Sequence, residues 1–301
     1  MKLGMVGLGR MGMNMARRLL QGGHQIVAFN RSPEKTEEIM KEGAEGSFSL
    51  QELVDKLESP RIVWLMLPAG KLVDDHVDKL KKLLAPGDII VEGGNSNYHD
   101  DIRRSADLLD GGVHYVDAGV SGGIWGLKVG YCTMVGGERN IFEFLEPVFK
   151  TLAPPDGHLY CGPAGAGHFV KMIHNGIEYG MMQAYGEGFA LLEASPFADS
   201  LDFGEVARLW NQGSVIRSWL LELLEDAFAK DPKLTEIMGY VDDSGEGRWT
   251  VEQAIDSRVA APVITMALFQ RFQSRNENLF ENRVLAALRR EFGGHEVKKS
   301  S

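Results

Sequence analysis

The segment Gly7-Leu8-Gly9-Arg10-Met11-Gly12 constrains this chain more than any other. It follows an apolar run, residues 2–6, that reads as a strand, and it opens residues 10–21, whose pattern is helical. Each glycine has a separate use in such a turn. Gly7 permits the tight bend, Gly9 lets the backbone approach a pyrophosphate, and Gly12 lets helix and strand pack closely. The helix N-terminus then presents unpaired N–H groups to the phosphates. Glycines mark turns everywhere, so the spacing alone is a weak signal. Between a strand and a helix, it predicts a dinucleotide-binding unit.

The alternation continues downstream. Residues 25–30 read as a second strand and 33–42 as a helix, with Ser32 as N-cap and Pro33 at the first helical position. Residues 61–67 (RIVWLML) are apolar throughout, the mark of a strand buried on both faces of a parallel sheet. Segments 71–84, 88–92 and 102–109 keep the rhythm, and 113–118, 131–135 and 158–161 add strands around a helix near 138–152. After Gly162-Pro163 strand signals vanish, and 165–193, 203–210, 217–229, 251–256, 262–273 and 282–292 read as helices. The expectation is an α/β, Rossmann-type doubly wound sheet domain over residues 1–162, followed by an all-helical domain over 163–301.

With 301 residues there is enough chain for two such domains. A net charge of −10 argues against nucleic acid, and no Lys/Arg run suggests a membrane surface. No apolar stretch approaches the roughly 20 residues of a membrane helix. Cys132 and Cys161 lack metal-ligand or disulfide spacing, and the first residues do not read as a signal peptide, so the expected compartment is the cytoplasm. Asp242-Asp243 is an isolated acidic pair and the histidines lack ligand spacing, so no metal is expected. Residues 298–301 read as a disordered tail.

The end of the second strand decides which dinucleotide. An NAD site usually places Asp or Glu there to accept from the ribose 2′-hydroxyl, whereas this chain has Asn30-Arg31-Ser32. Arg31 can pair with a 2′-phosphate and Ser32 can add a hydrogen bond. Arg31 can equally be a solvated residue after a strand. The expected cofactor is NADP, with NAD tolerated.

A second cluster lies just beyond the domain boundary. Lys171, His174, Asn175 and Glu178 stand at i, i+3, i+4 and i+7 and share one helical face. Phe169, Val170, Met172, Ile173 and Ile177 claim much of the remaining surface, so the polar stripe is expected to be enclosed as well. An amine, an imidazole, an amide and a carboxylate brought together inside a protein suggest an active-site wall, and clefts between domains often hold small molecules. The bland alternatives are a solvated helix face and, for His174, a satisfied core imidazole. Gly93-Gly94-Asn95 and Ser121-Gly122-Gly123 each end a predicted strand, where ligands bind in parallel sheets, though each also reads as an ordinary turn.

Taken together, these motifs resemble the 6-phosphogluconate dehydrogenase family nearly end to end. The match includes the glycine fingerprint, Asn30-Arg31-Ser32, Gly93-Gly94-Asn95, Ser121-Gly122-Gly123 and residues 168–179. It continues through Gly245-Glu246-Gly247-Arg248-Trp249-Thr250 and Arg271 to residues 289–295. The resemblance implies oxidative decarboxylation of a phosphorylated sugar acid, 6-phosphogluconate, with Lys171 as base and then acid and Glu178 as the acid that protonates the enediol. It implies that Asn95, Ser121, Gly122, Gly123, His174 and Asn175 contact the substrate, and that Tyr179, Arg271, Arg289 and His295 hold its phosphate. The turn Leu67-Pro68-Ala69, together with Asn95, is expected to touch the nicotinamide.

In the family the tail pair, here Arg289 and His295, comes from a neighbouring subunit, so a homo-oligomer (dimer or tetramer) with shared sites is expected. Two departures stand out. The chain looks like a short form that keeps one helical block, and Ser244 replaces the family's phosphate-binding lysine, with Arg248 as a candidate substitute. The competing readings are a non-decarboxylating 3-hydroxyacid dehydrogenase, similar to 3-hydroxyisobutyrate dehydrogenase, and a non-catalytic NADP-binding regulator.

Overall fold

A computed structural model describes residues 1–276 and 278–298. The chain forms two compact units, residues 1–172 and 173–301. In the first, strands and helices alternate: β1 (Lys2–Val6), α1 (Arg10–Gln21), β2 (Gln25–Phe29), α2 (Pro33–Met40), β3 (Glu45–Ser47), α3 (Leu50–Asp55), β4 (Ile62–Leu65) and α4 (Lys71–Leu80). They continue with β5 (Ile89–Glu92), α5 (Tyr98–Leu109), β6 (His114–Ser121), α6 (Gly126–Val129), β7 (Cys132–Gly136), α7 (Arg139–Leu152) and β8 (His158–Gly162). Helix α8 (Ala166–Glu193) runs from the first unit into the second.

The eight strands lie in the order β3-β2-β1-β4-β5-β6-β7-β8. All neighbours pair in parallel except β6 and β7, which are antiparallel. This is the doubly wound arrangement expected, extended by β7 and β8. Residue alternation explains why both faces are covered. Met5, Ile26, Ala28, Ile62, Trp64, Ile89 and Val91 form one apolar layer, while Val6, Val27, Val63, Leu65 and Ile90 form the other. Burial of each large side chain contributes roughly 1.5–3 kcal/mol.

Several local expectations change. Strand β3 and helix α3 escape the hydrophobic pattern because they are short. Helix α3 is instead set by its cap, with Ser49 Oγ accepting from Glu52 N at 3.0 Å and Glu52 accepting from Phe48 N at 2.8 Å. Ser32 occupies the N-cap position of α2, but its hydroxyl makes no capping bond.

The second unit holds the rest of α8 with α9 (Phe203–Trp210), α10 (Trp219–Lys230), α11 (Glu246–Asp256), α12 (Pro262–Gln273) and α13 (Phe280–Gly293). Phe189, Phe203, Phe228 and Phe280 form a chain of ring contacts that joins α8, α9, α10 and α13. Helix α11 begins five residues earlier than the apolar pattern indicated, because Gly245 adopts φ +108° and starts the first turn there. Of the tail read as disordered, residues 299–301 lie outside the described residues. Lys298 is anchored: its carbonyl accepts from Met238 N at 2.8 Å and its ammonium covers the Tyr240 ring.

Candidate active site

In the first unit the carboxyl ends of β1, β2, β4, β5 and β6 gather the turns singled out above. Sheet order reverses between β1 and β4, and there the glycine turn meets the end of β4. Gly7 has φ +93°, and a Cβ on it would strike the Met66 carbonyl. A Cβ on Gly12 would strike the Gly7 carbonyl, so α1 can approach only without a side chain there. Gly9 is the opposite case: a Cβ would meet nothing within 4 Å. Its freedom leaves room for a ligand, at a helix start with no acidic residue and no side-chain cap. Arg10 is exposed and Met11 half-buried in that first turn.

Leu8 is buried in the core and gives its N–H to Asn30 Oδ1 at 2.9 Å. Asn30 therefore braces the turn from the end of β2. Arg31 and Ser32 are exposed beyond it, and among the described residues no carboxylate pairs with Arg31. With its hydroxyl unused by the helix, Ser32 can serve a ligand oxygen.

After β4, Leu67 is half-buried and Pro68 and Ala69 are exposed. The Leu67 carbonyl lies where a Cβ on Gly94 would sit, which ties the β4 turn to the β5 turn. Asn95 adopts φ +57°, which asparagine tolerates. Its side chain accepts from Val120 N at 2.9 Å and donates to Val120 O at 3.2 Å, bridging β5 to β6. Next to Val120 come Ser121, Gly122 (φ +134°) and Gly123 (φ +53°), a bend that only glycines make without strain.

Lys171 is 5% exposed. Helix α8 comes so close to β6 at Gly119 that a Cβ there would collide with Lys171 Cβ. Asp117, Gly119 and Ser121 alternate along one face of β6. Asp117 accepts from Gly165 N at 2.7 Å and His168 N at 2.8 Å, which caps α8, and Gly119 packs on Lys171. The lysine charge also reaches Cys132, holding down a thiol that burial raises, and Cys132 is the ladder partner of Ser121.

Helical spacing did not reveal how deep this corner is. His168, one turn before Lys171, is buried with Nδ1 2.7 Å from Asp101 Oδ2 and 3.6 Å from Glu92 Oε2. Burial disfavours the imidazolium, yet the Asp101, Glu92 and Asp117 carboxylates outweigh it and raise the ring to about 10. A base raised on folding stabilises the native state fully below its unfolded pKa of about 6.5, and that contribution is lost as pH climbs through 10. We therefore expect unfolding free energy, measured in urea, to fall from pH 7 to pH 9. His168 should contribute up to about 1.4 kcal/mol per pH unit, and His168→Asn should flatten the slope. Equal slopes in the two proteins would mean that the ring carries no such charge. Glu92, Asp101 and His168 also offer donor atoms within 4.8 Å of one another, but Asp101 accepts the ring proton and Arg104 lies 3.6 Å from its other oxygen.

In the second unit α8 continues with His174, Asn175 and Glu178. His174 Nδ1 lies 3.0 Å from Asn175 Oδ1 and 3.9 Å from Glu178 Oε2. The polar stripe is buried or half-buried, as expected, but the apolar residues around it are not all enclosed. Val170 is 40% exposed and Ile177 53%. The amphipathicity of this helix is thus partly inverted.

Tyr179 is 3% exposed and no described residue hydrogen-bonds its hydroxyl. The Arg271 guanidinium lies 3.2 Å from the centre of its ring. Arg271 is 2% exposed, donates to the Asp242 carbonyl at 3.3 Å, and has no carboxylate partner among the described residues. Burial lowers it to about 10, with the nearby Arg289 charge acting the same way. Arg289 is likewise lowered by burial and sits close enough to feel Tyr179, Asp242 and Glu178. Within the chain, Arg289 therefore lies near Tyr179 and Arg271. His295 lies at the end of α13, its ring 6.1 Å from that of Phe292. Gly247 packs on the Tyr179 ring so tightly that a Cβ would clash.

Arg248, the candidate substitute for the family lysine, is held by Asp243 through two bonds and covers the Phe272 ring. The Asp243 side chain is itself enclosed between Arg248 and Arg275, while Asp242 is exposed. Ser244 donates to Glu246.

Residues 2–162 match the family described as the NAD binding domain of 6-phosphogluconate dehydrogenase, and residues 167–299 match the 6-phosphogluconate dehydrogenase C-terminal domain. The chain is 50% identical over 299 residues to YqeC of Bacillus subtilis, a protein named only provisionally as a 6-phosphogluconate dehydrogenase, with 99% of this chain and 100% of that one covered. It is 44% identical over 301 residues to the NAD(+)-dependent, decarboxylating 6-phosphogluconate dehydrogenase of Haloferax volcanii, covering 99% of each. Among solved structures, the Plasmodium falciparum 6-phosphogluconate dehydrogenase, studied with NADP+ and with 6-phosphogluconate, matches at 30% identity and a TM-score of 0.84. That match covers 96% of this chain and 70% of the other. No helix among the described residues is long and apolar enough to cross a membrane.

Proposed function

Because the chain belongs to the 6-phosphogluconate dehydrogenase family, we propose that it oxidises and decarboxylates 6-phosphogluconate to ribulose 5-phosphate with NADP, NAD being the weaker alternative. The observation that carries this reading is Arg271. A buried guanidinium with no carboxylate partner among the described residues is expensive to maintain, and its planar donors suit a phosphate. A small unphosphorylated 3-hydroxyacid has no use for it.

Lys171 takes the proton of the C3 hydroxyl. When bound, NADP would supply the acceptor for the hydride of C3. Lys171, now an ammonium, returns its proton toward the ketone oxygen, and this polarisation lets the 3-keto acid lose CO2. Glu178 then protonates the enediol carbon while Lys171 takes back the enol proton to leave the ketone, and His174 and Asn175, the neighbours of Glu178, orient the hydroxyls. Ser121 and the N–H groups of Gly122 and Gly123 hold the carboxylate. Arg271, Arg289 and the Tyr179 hydroxyl take the phosphate, with His295 from the tail. Gly7, Gly9 and Gly12 with the α1 N-terminus receive the pyrophosphate. No metal has a part in this scheme. We place the enzyme in the cytoplasm, where Cys132 and Cys161 stay reduced, and expect it to act as a homo-oligomer.

A spectrophotometric assay with 6-phosphogluconate and gluconate, each with NADP and NAD, tests the reading. NADPH and CO2 in equal amounts from 6-phosphogluconate support it, whereas reduced cofactor without CO2 indicates a plain 3-hydroxyacid dehydrogenase. The Haloferax relative is NAD(+)-dependent, which makes Arg31 the residue to test. Arg31→Asp is expected to raise KM for NADP by about 10- to 100-fold, through loss of a charge-assisted pair, and to leave NAD within about threefold. Equal loss for both cofactors would assign NADP preference elsewhere.

A further inference from the structure

Three turns proposed to touch reactants are joined beneath the surface by one set of buried groups. Glu92, the last residue of β5, accepts from Gly94 N at 2.7 Å and so shapes the turn that carries Asn95. Its second oxygen faces His168, whose ring is bonded to Asp101 on α5, while the His168 backbone N–H is bonded to Asp117 on β6. His168 lies one helical turn before Lys171, whose stem packs against Gly119. The β5 turn, the β6 strand and the first turns of α8 therefore meet at a single imidazole.

Stability alone does not explain such a cluster. Burying several charges costs more than their attraction returns, unless every remaining hydrogen-bonding group is satisfied. Here His168 Nε2 and Glu92 Oε2 have no hydrogen-bond partner among the described residues. A well-packed apolar side chain would stabilise the fold better, but it would let α8 shift or turn against the strands. Catalysis is sensitive to that freedom, since a displacement of about 1 Å can cost a factor of about 100 in rate.

We propose that His168 is a positioning residue, which with Glu92 and Asp101 holds Lys171 in register with Asn95 and Ser121. This rests on the reaction proposed above. The test compares His168→Leu, which removes the ring donor, with His168→Asn, which retains an N–H for Asp101, in the full chain. His168→Leu should lower kcat about 10- to 100-fold, with KM for 6-phosphogluconate and NADP changed less than about threefold. His168→Asn should recover most of the rate. Unchanged kcat in folded His168→Leu, or a loss shared equally by KM and kcat, overturns the proposal. If His168→Leu fails to fold, Glu92→Gln replaces it with the same expectations.

Hydrogen exchange of the ligand-free protein provides a readout that needs no turnover. The variants should speed exchange in residues 92–96 and 117–121 as well as in the start of α8. Acceleration confined to α8 refutes the frame. A wild-type protein that ignores 6-phosphogluconate, yet shows this coupled exchange, refutes the reaction and leaves the frame standing.

Discussion

Replacing Lys171 by methionine is expected to lower kcat on 6-phosphogluconate by about 10²–10⁴-fold while NADP binding stays within about twofold. Methionine has nearly the length of lysine and is at home in a buried setting, so the fold should persist around a position only 5% exposed. What disappears is the one group proposed both to take the hydroxyl proton and to return it to the ketone. Because those steps surround the departure of hydride, their loss cannot be read as weaker binding. A steady-state assay with saturating substrate, beside fluorescence titration of NADPH, separates the two. Turnover within tenfold of wild type would remove Lys171 from the chemistry and with it the scheme.

Arg271→Met should have an equally large effect of a different kind. Removing a buried charge that a bound anion neutralises costs about 2–5 kcal/mol, a factor of about 30 to several thousand in kcat/KM. The loss should be confined to 6-phosphogluconate. Gluconate, which has no phosphate, should be oxidised no worse than before. Stability should hold or rise, because this guanidinium is buried without a carboxylate partner among the described residues and methionine removes that cost. Equal losses on the two substrates would mean that Arg271 supports the shape of the site rather than the phosphate, and the case against a plain 3-hydroxyacid dehydrogenase would weaken.

Much of this architecture was legible before any coordinates. The glycine spacing worked because Gly7, Gly9 and Gly12 obey local constraints: a positive φ, an open approach and a close helix–strand contact. The apolar run in β4 was equally clear, since a central parallel strand is buried on both faces. Patterns of this kind depend on residues a few positions apart. Strand β3 and helix α3 were missed because three and six residues are too few to show a period.

Along α8, spacing alone placed Lys171, His174, Asn175 and Glu178 on one helix. The same spacing puts His168 at i−3 from Lys171 and could have flagged it. Nothing in the sequence pointed to its partners, because Glu92, Asp101 and Asp117 lie on three separate elements 51 to 76 residues away. What holds Arg248 is hidden for a related reason. Its guanidinium is claimed by Asp243, and a competing partner cannot be seen in composition.

The amino-acid order by itself therefore determined the sheet, the nucleotide turn and the polar stripe of α8, because each is governed by backbone sterics or helical period over a short span. Only the tertiary structure decided that His168 is a charged hub, that Arg271 has no carboxylate partner among the described residues, and that Arg289 lies near it. Those properties are electrostatic and depend on which distant groups are brought together away from water, where a missing or additional partner changes the energy by several kcal/mol.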